Sequence, residues 1–144
     1  MAMETGIPIA LNPPNPNYAG PRVVVWNDDL IFYSRIDGRA RAAGCKAVQA
    51  RNADRAIHLA TDSNTLIVLV DIQLAGAEIS SLTAALGTLP SRPRIVGYGS
   101  HVEAQALRAA REAGCDLVLP RSKFVEDLVS CWDAWIIKPG TSPE

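Results

Sequence analysis

Residues 65–71 read Thr65-Leu66-Ile67-Val68-Leu69-Val70-Asp71, an apolar, largely β-branched run that closes on a carboxylate. A run of strand length without polar alternation belongs to a strand covered on both faces, as in a parallel sheet. A second run of the same kind, Arg22-Val23-Val24-Val25-Trp26, stands upstream. Three weaker ones complete the set: Lys46 to Ala50, Arg94 to about Gly97, and Leu117-Val118-Leu119, which ends at Pro120.

Each run is followed by a segment of helical period. After the first comes LIFYSRIDGRARAAG, with Asp28 or Asp29 placed to cap it and Gly44 to stop it. A short helix is expected from about Asn52 to Ala60, with His58 half-buried in its packing. After Asp71 a loop at Gly76 precedes a helix through ISSLTAAL. VEAQALRAAREAG places Ala104, Leu107, Ala110 and Ala113 on an inner face. The last helix, about Ser122 to Ile136, carries Phe124, Leu128, Cys131 and Trp135 along one stripe. Five strand-helix units in succession predict an α/β fold, a doubly wound parallel sheet with helices on both faces. With five strands, the flavodoxin-like order 2-1-3-4-5 follows. Its ligand crevice lies beyond the carboxyl ends of strands one and three.

The chain has 144 residues, enough for one domain of this kind. Five of the ten prolines fall within residues 1–21, which therefore read as an extended N-terminal arm; residues 22–138 form the domain and 139–144 a short tail. Fourteen Lys and Arg against fifteen Asp and Glu give a net charge of −1, which argues against a nucleic-acid binder. No apolar run is long enough to span a bilayer and the start does not read as a secretory signal, so a cytoplasmic protein is expected. Cys45, Cys115 and Cys131 are widely spaced and support neither a disulfide framework nor a zinc site.

The residues just after each strand are those the fold aims into the crevice. They are Asn27, Asp28 and Asp29 after the first, Asp71 at the end of the third, Tyr98, Gly99 and Ser100 after the fourth, and Pro120, Arg121 and Ser122 after the fifth. Crowded carboxylates raise one another's pKa unless a cation neutralises them. Oxygen donors of this kind suit Mg²⁺ bound with a phosphate. A Mg²⁺-assisted phosphoryl site is the first chemistry to consider.

VVVWNDD, LIVLVDIQLAG and AGCDLVLPRS, in this order and spacing, resemble the receiver domain of two-component response regulators (CheY-like), and the likeness covers the body from Arg22 to Trp135. The resemblance implies that Asp71 is the phosphoacceptor. It further implies that Asp28, Asp71 and the main-chain carbonyl of Gln73 bind the metal, with Asp29 as a further candidate. A non-enzymatic signalling protein is then expected, taking a phosphoryl group from a histidine kinase and acting through protein contacts. A homodimer through the last two strand-helix units is a candidate assembly. Three positions depart from the family pattern. Asn27 stands where one of two carboxylates is expected. The position of the switch hydroxyl aligns with Tyr98, leaving Ser100 as its replacement. The Lys-Pro pair appears as Arg121-Ser122, or with a one-residue slip as Pro120-Arg121, making Arg121 the candidate phosphoryl-pairing cation although its planar fork is not equivalent to an ammonium.

Other roles are open for the same residues. Asp71 is also placed to cap a turn, Asp28 to cap a helix, and Arg121 to act as a permanent partner of Asp71. The departures together define an alternative: a pseudo-receiver, the fold kept as a binding or dimerisation module without phosphoryl chemistry. A small flavodoxin-like ligand binder or enzyme is a third reading. Against it, Gly97-Tyr98-Gly99 lacks the spacing of a dinucleotide loop, and no phosphate-cradling loop follows strand one.

Overall fold

The computed structural model describes residues 20–62 and 64–136. Residues 1–19 of the expected arm, the end of the domain at 137–138 and the tail at 139–144 lie outside the described residues.

Five strands, β1 (Arg22–Trp26), β2 (Lys46–Ala50), β3 (Thr65–Asp71), β4 (Arg94–Gly99) and β5 (Leu117–Pro120), form one parallel sheet in the order β2-β1-β3-β4-β5. The helices are α1 (Leu30–Ala42), α2 (Ala53–Ala60), α3 (Ile72–Ala75), α4 (Ile79–Leu86), α5 (Ala104–Glu112), α6 (Arg121–Ser130) and α7 (Trp132–Trp135). This is the expected flavodoxin-like order, and the continuous apolar runs β1 and β3 are adjacent at the centre of the sheet.

Alternate residues of each strand feed opposite faces. Val24, Trp26, Val68 and Val70 meet Ala56, Ile79, Leu82 and Leu107 on one side. Val23, Val25, Ile67, Leu69, Val96 and Tyr98 meet Phe32, Ile36, Phe124, Leu128, Trp132 and Trp135 on the other. Each fully buried aliphatic side chain here contributes about 2 kcal/mol of transfer free energy, which is why both strands, after Arg22 and Thr65 at their starts, carry only apolar residues until Asp71. Asn52 caps α2 by accepting the Arg55 N–H at 2.9 Å, and Gly44 stops α1 at φ +78°, a conformation that suits a residue without Cβ.

Several local expectations change. β4 runs two residues further than its apolar run, because Asp71 pairs with Tyr98 and Gly99 with Pro120 across the sheet. Tyr98 and Gly99 are therefore strand residues rather than loop. The loop expected after β3 is replaced by helix: α3 begins directly at Ile72, and a 3₁₀ turn over Gly76–Glu78 leads into α4. The final helix breaks at Cys131 (φ −116°, ψ 10°), which brings both Trp132 and Trp135 into the core and leaves Cys131 half-buried. His58 is exposed, since Ala53, Ala56 and Ala60 take the inner face of α2. Ala104 is exposed as well, at the start of α5. No described helix is long and apolar enough to cross a membrane.

Candidate functional site

The carboxyl ends of β1, β3, β4 and β5 bring Asn27, Asp71, Tyr98 and Arg121 to one edge. Asp71 closes β3 and is 8% exposed. Its Oδ1 accepts the N–H groups of Gln73 (3.0 Å) and Leu74 (3.4 Å), so the carboxylate caps α3. Its Oδ2 faces the Arg121 guanidinium at 4.0 Å. Capping and ion pairing, open alternatives in the sequence, are thus both realised on one side chain. Gln73, whose carbonyl is the expected metal ligand, donates its N–H to Asp71.

Asn27 is fully buried directly after β1. Its Nδ2 donates to the Asp29 carbonyl (3.2 Å) and its Oδ1 accepts from Gln49 Nε2 (2.8 Å). The amide therefore ties the β1 end to β2 and to the start of α1, a structural task for the residue that replaces a carboxylate. Asp29 is the N-cap of α1, accepting the Phe32 N–H on Oδ1 at 3.0 Å. Asp28 is exposed and makes no hydrogen bond or ion pair among the described residues. Ser100 follows β4, and its Oγ accepts the Val102 N–H at 3.3 Å.

Arg121 opens α6. Its guanidinium lies over the Phe32 ring at 4.7 Å and over the Tyr98 ring at 5.3 Å. Cation–π contact with two rings holds the cation beside Asp71. Tyr98 lies beneath it, fully buried, its ring 5.0 Å from Phe32 and 4.5 Å from Phe124. Burial first, and then the charge of Asp71, push ionisation of its hydroxyl above the usual tyrosine range, with Arg121 acting in the opposite sense. The hydroxyl is near Asn27 yet has no hydrogen bond of proper geometry.

These commitments decide how well the edge suits Mg²⁺. Asn27 supplies an engaged amide, Asp29 is spent on a helix cap, and Asp71 already has N–H donors on one oxygen and a guanidinium facing the other. Among the described residues, no three His, Cys, Asp or Glu side chains converge as a metal-binding group. Asp28 is left unengaged among the described residues, and the Arg121 guanidinium, 4.0 Å from Asp71 Oδ2, would compete with a metal for that oxygen.

Beside Arg121 lies an open groove of about 730 Å³ lined by Asp29, Ile31, Phe32, Arg35, Ser100, His101, Arg121, Ser122 and Val125. Sequence reasoning missed Phe32, Arg35 and Gln49 as site residues. Gln49 had a signal, being a polar residue inside a short apolar strand. Phe32 and Arg35 had none, since their part depends on how α1 packs beside α6.

No family model matches the chain, and no curated protein matches it in sequence. Solved structures do. A response regulator from Thermotoga maritima superposes with a TM-score of 0.66 at 17% identity, covering 81% of this chain and 98% of that one. The receiver domain of a sensor histidine kinase from Pseudomonas aeruginosa, with a magnesium ion coordinated in its active-site cleft, gives a TM-score of 0.67 at 18% identity over 82% of this chain and 98% of that one. A response regulator from Burkholderia pseudomallei carrying a phosphorylated aspartic acid, a calcium ion and citrate gives 0.63 at 21% identity over 81% of this chain and 66% of that one. The fold is that of the CheY-like receiver domains.

Proposed function

We propose that this receiver-fold chain is a pseudo-receiver: a signalling module of two-component type that works through protein contacts, with Asp71 held by Arg121 rather than by metal and phosphoryl group. The observation that carries the reading is the stacked guanidinium of Arg121, 4.0 Å from Asp71 Oδ2 and seated on Phe32 and Tyr98. An internal cation that arrives with the fold neutralises the carboxylate permanently, so the edge has one charge state instead of two. Asn27 and Tyr98 support the same reading, the first engaged in hydrogen bonds and the second filling with a buried ring the position of a switch hydroxyl.

On this reading the chain is not an enzyme and sits in the cytoplasm. It binds a histidine kinase or another signalling protein, or pairs with itself through the β4-α5 and β5-α6 units. Val102 and Val129, each 71% exposed on those units, are suited to such contacts.

A second reading keeps Asp71 as phosphoacceptor, with Mg²⁺ on Asp28, Asp71 and the Gln73 carbonyl and Ser100 reading the phosphoryl group. The unengaged carboxylate of Asp28 favours it. Intact mass after incubation with Mg²⁺ and acetyl phosphate, beside an Asp71→Asn control, separates the two. The pseudo-receiver gives no adduct and no saturable Mg²⁺ binding. A phosphoryl adduct lost in Asp71→Asn would establish the second reading instead.

A further inference from the structure

We infer that the groove beside Arg121 is a binding site for a small amphipathic anion, an apolar or aromatic body carrying one phosphate or carboxylate. The inference goes beyond the pseudo-receiver reading and does not depend on it.

At about 730 Å³ the groove has the room of a small-molecule site. Its lining divides into two kinds of surface. Ile31, Phe32 and Val125 form an apolar wall, and Ile31 is 84% exposed in the first turn of α1, where a bound apolar group would remove it from water. Arg35, Arg121, His101, Ser100 and Ser122 supply hydrogen-bond donors.

Charge selects the ligand's sign. Two guanidinium groups line the groove with the carboxylate of Asp29, whose Oδ1 is already taken by the Phe32 N–H; Asp71, outside the lining, faces Arg121 at 4.0 Å, so the charge of Arg35 is the unbalanced one. Arg35 has no ion pair among the described residues. Arg121 meets Asp71 only at 4.0 Å, too far for a hydrogen bond, so its donors remain unspent. With its guanidinium carbon 4.7 Å from the Phe32 ring centre and 5.3 Å from that of Tyr98, the group is held at the groove wall, where its N–H donors suit capture of a phosphate or carboxylate. The first turn of α6 has no side-chain cap and adds to the same positive potential.

The test is an NMR titration of amide resonances with phenyl phosphate, run without divalent cations, beside separate titrations with inorganic phosphate and with phenol. Saturable shifts centred on Arg35, Ser100, His101 and Ser122 are expected for phenyl phosphate, with weaker binding by either half-probe. Arg35→Gln and Arg121→Gln should each weaken phenyl phosphate by about tenfold or more, the loss of one charge-assisted contact. Arg35 is exposed and unpaired, so its variant folds and keeps the test decisive. Shifts that do not saturate, that lie away from the groove, that are matched by inorganic phosphate alone, or that survive both substitutions would overturn the inference. Absence of a metal-dependent phosphoryl adduct does not bear on it.

Discussion

Tyr98 offers a substitution whose sign is set by one observation. Its side chain is fully buried and its hydroxyl has no hydrogen-bond partner. A buried polar group left unsatisfied costs about 1–3 kcal/mol, whereas a void the size of one oxygen costs less than about 1 kcal/mol. Tyr98→Phe keeps the ring against Phe32 and Phe124 and keeps the platform under Arg121. It should therefore stabilise the domain by about 1 kcal/mol, raising Tm by roughly 4 °C. Tyr98→Thr, which restores a family-type hydroxyl, removes the ring and should cost about 3–4 kcal/mol, as large aromatic truncations do. Urea unfolding monitored by tryptophan fluorescence measures both, since Trp26, Trp132 and Trp135 are all buried and become exposed together. A loss of about 1 kcal/mol in Tyr98→Phe would refute the reasoning, because it would mean that the hydroxyl is bonded to Asn27 and that Tyr98 is part of a polar network.

Three further outcomes are expected. Asn27→Asp places a carboxylate in a fully buried position beside the Asp29 carbonyl it now donates to; it should destabilise by about 2–3 kcal/mol at neutral pH, a loss partly recovered on adding Mg²⁺, and denaturation with and without the ion checks this. Gly97→Ala would set its Cβ 3.0 Å from Ile72 Cδ1 and 3.1 Å from Ile72 Cγ1, forcing Ile72 to shift beside Asp71, and should cost about 1–3 kcal/mol in the same urea assay. Burial, then the charge of Asp116, push the Cys115 thiol from the usual 9.0 up to about 11, and burial with the charge of Asp37 pushes Tyr33 from 10.0 up to about 12. The folded state holds these protons longer than the unfolded one, so their stabilisation is complete below pH 9.0 and is lost as pH rises through about 11 and 12; Tm should fall across that window, and Cys115→Ser or Cys115→Ala should flatten its first part.

Much of this molecule is legible in its residue order. The runs at residues 23–26 and 66–70 exclude polar side chains because both faces of a central parallel strand are covered, so their composition reports their place in the sheet. Alternation of strand and helix then leaves few topologies, and the strand ends bring Asn27, Asp71 and Arg121 to one edge. That Asn27 breaks the expected carboxylate pair is likewise visible in the sequence, as is the swap of a small hydroxyl residue for Tyr98.

Only the tertiary structure decided what these residues do there. An aspartate after a strand is equally able to cap a helix, bind a cation or face water. Asp29, Asp71 and Asp28 take different shares of these roles according to which N–H groups and which guanidinium come within reach. Tyr98 points its ring into the core because β4 extends by pairing with both β3 and β5, a contact its own segment does not encode. Arg121 comes to lie over Phe32 and 4.0 Å from Asp71, and Phe32 with Arg35 becomes the wall of a groove, only when α1 and α6 pack side by side on one face of the sheet. Local pattern sets strand, helix and strand end because it acts through neighbours a few residues apart. The partner of a charge lies tens of residues away, and its identity exists only once the layers have closed.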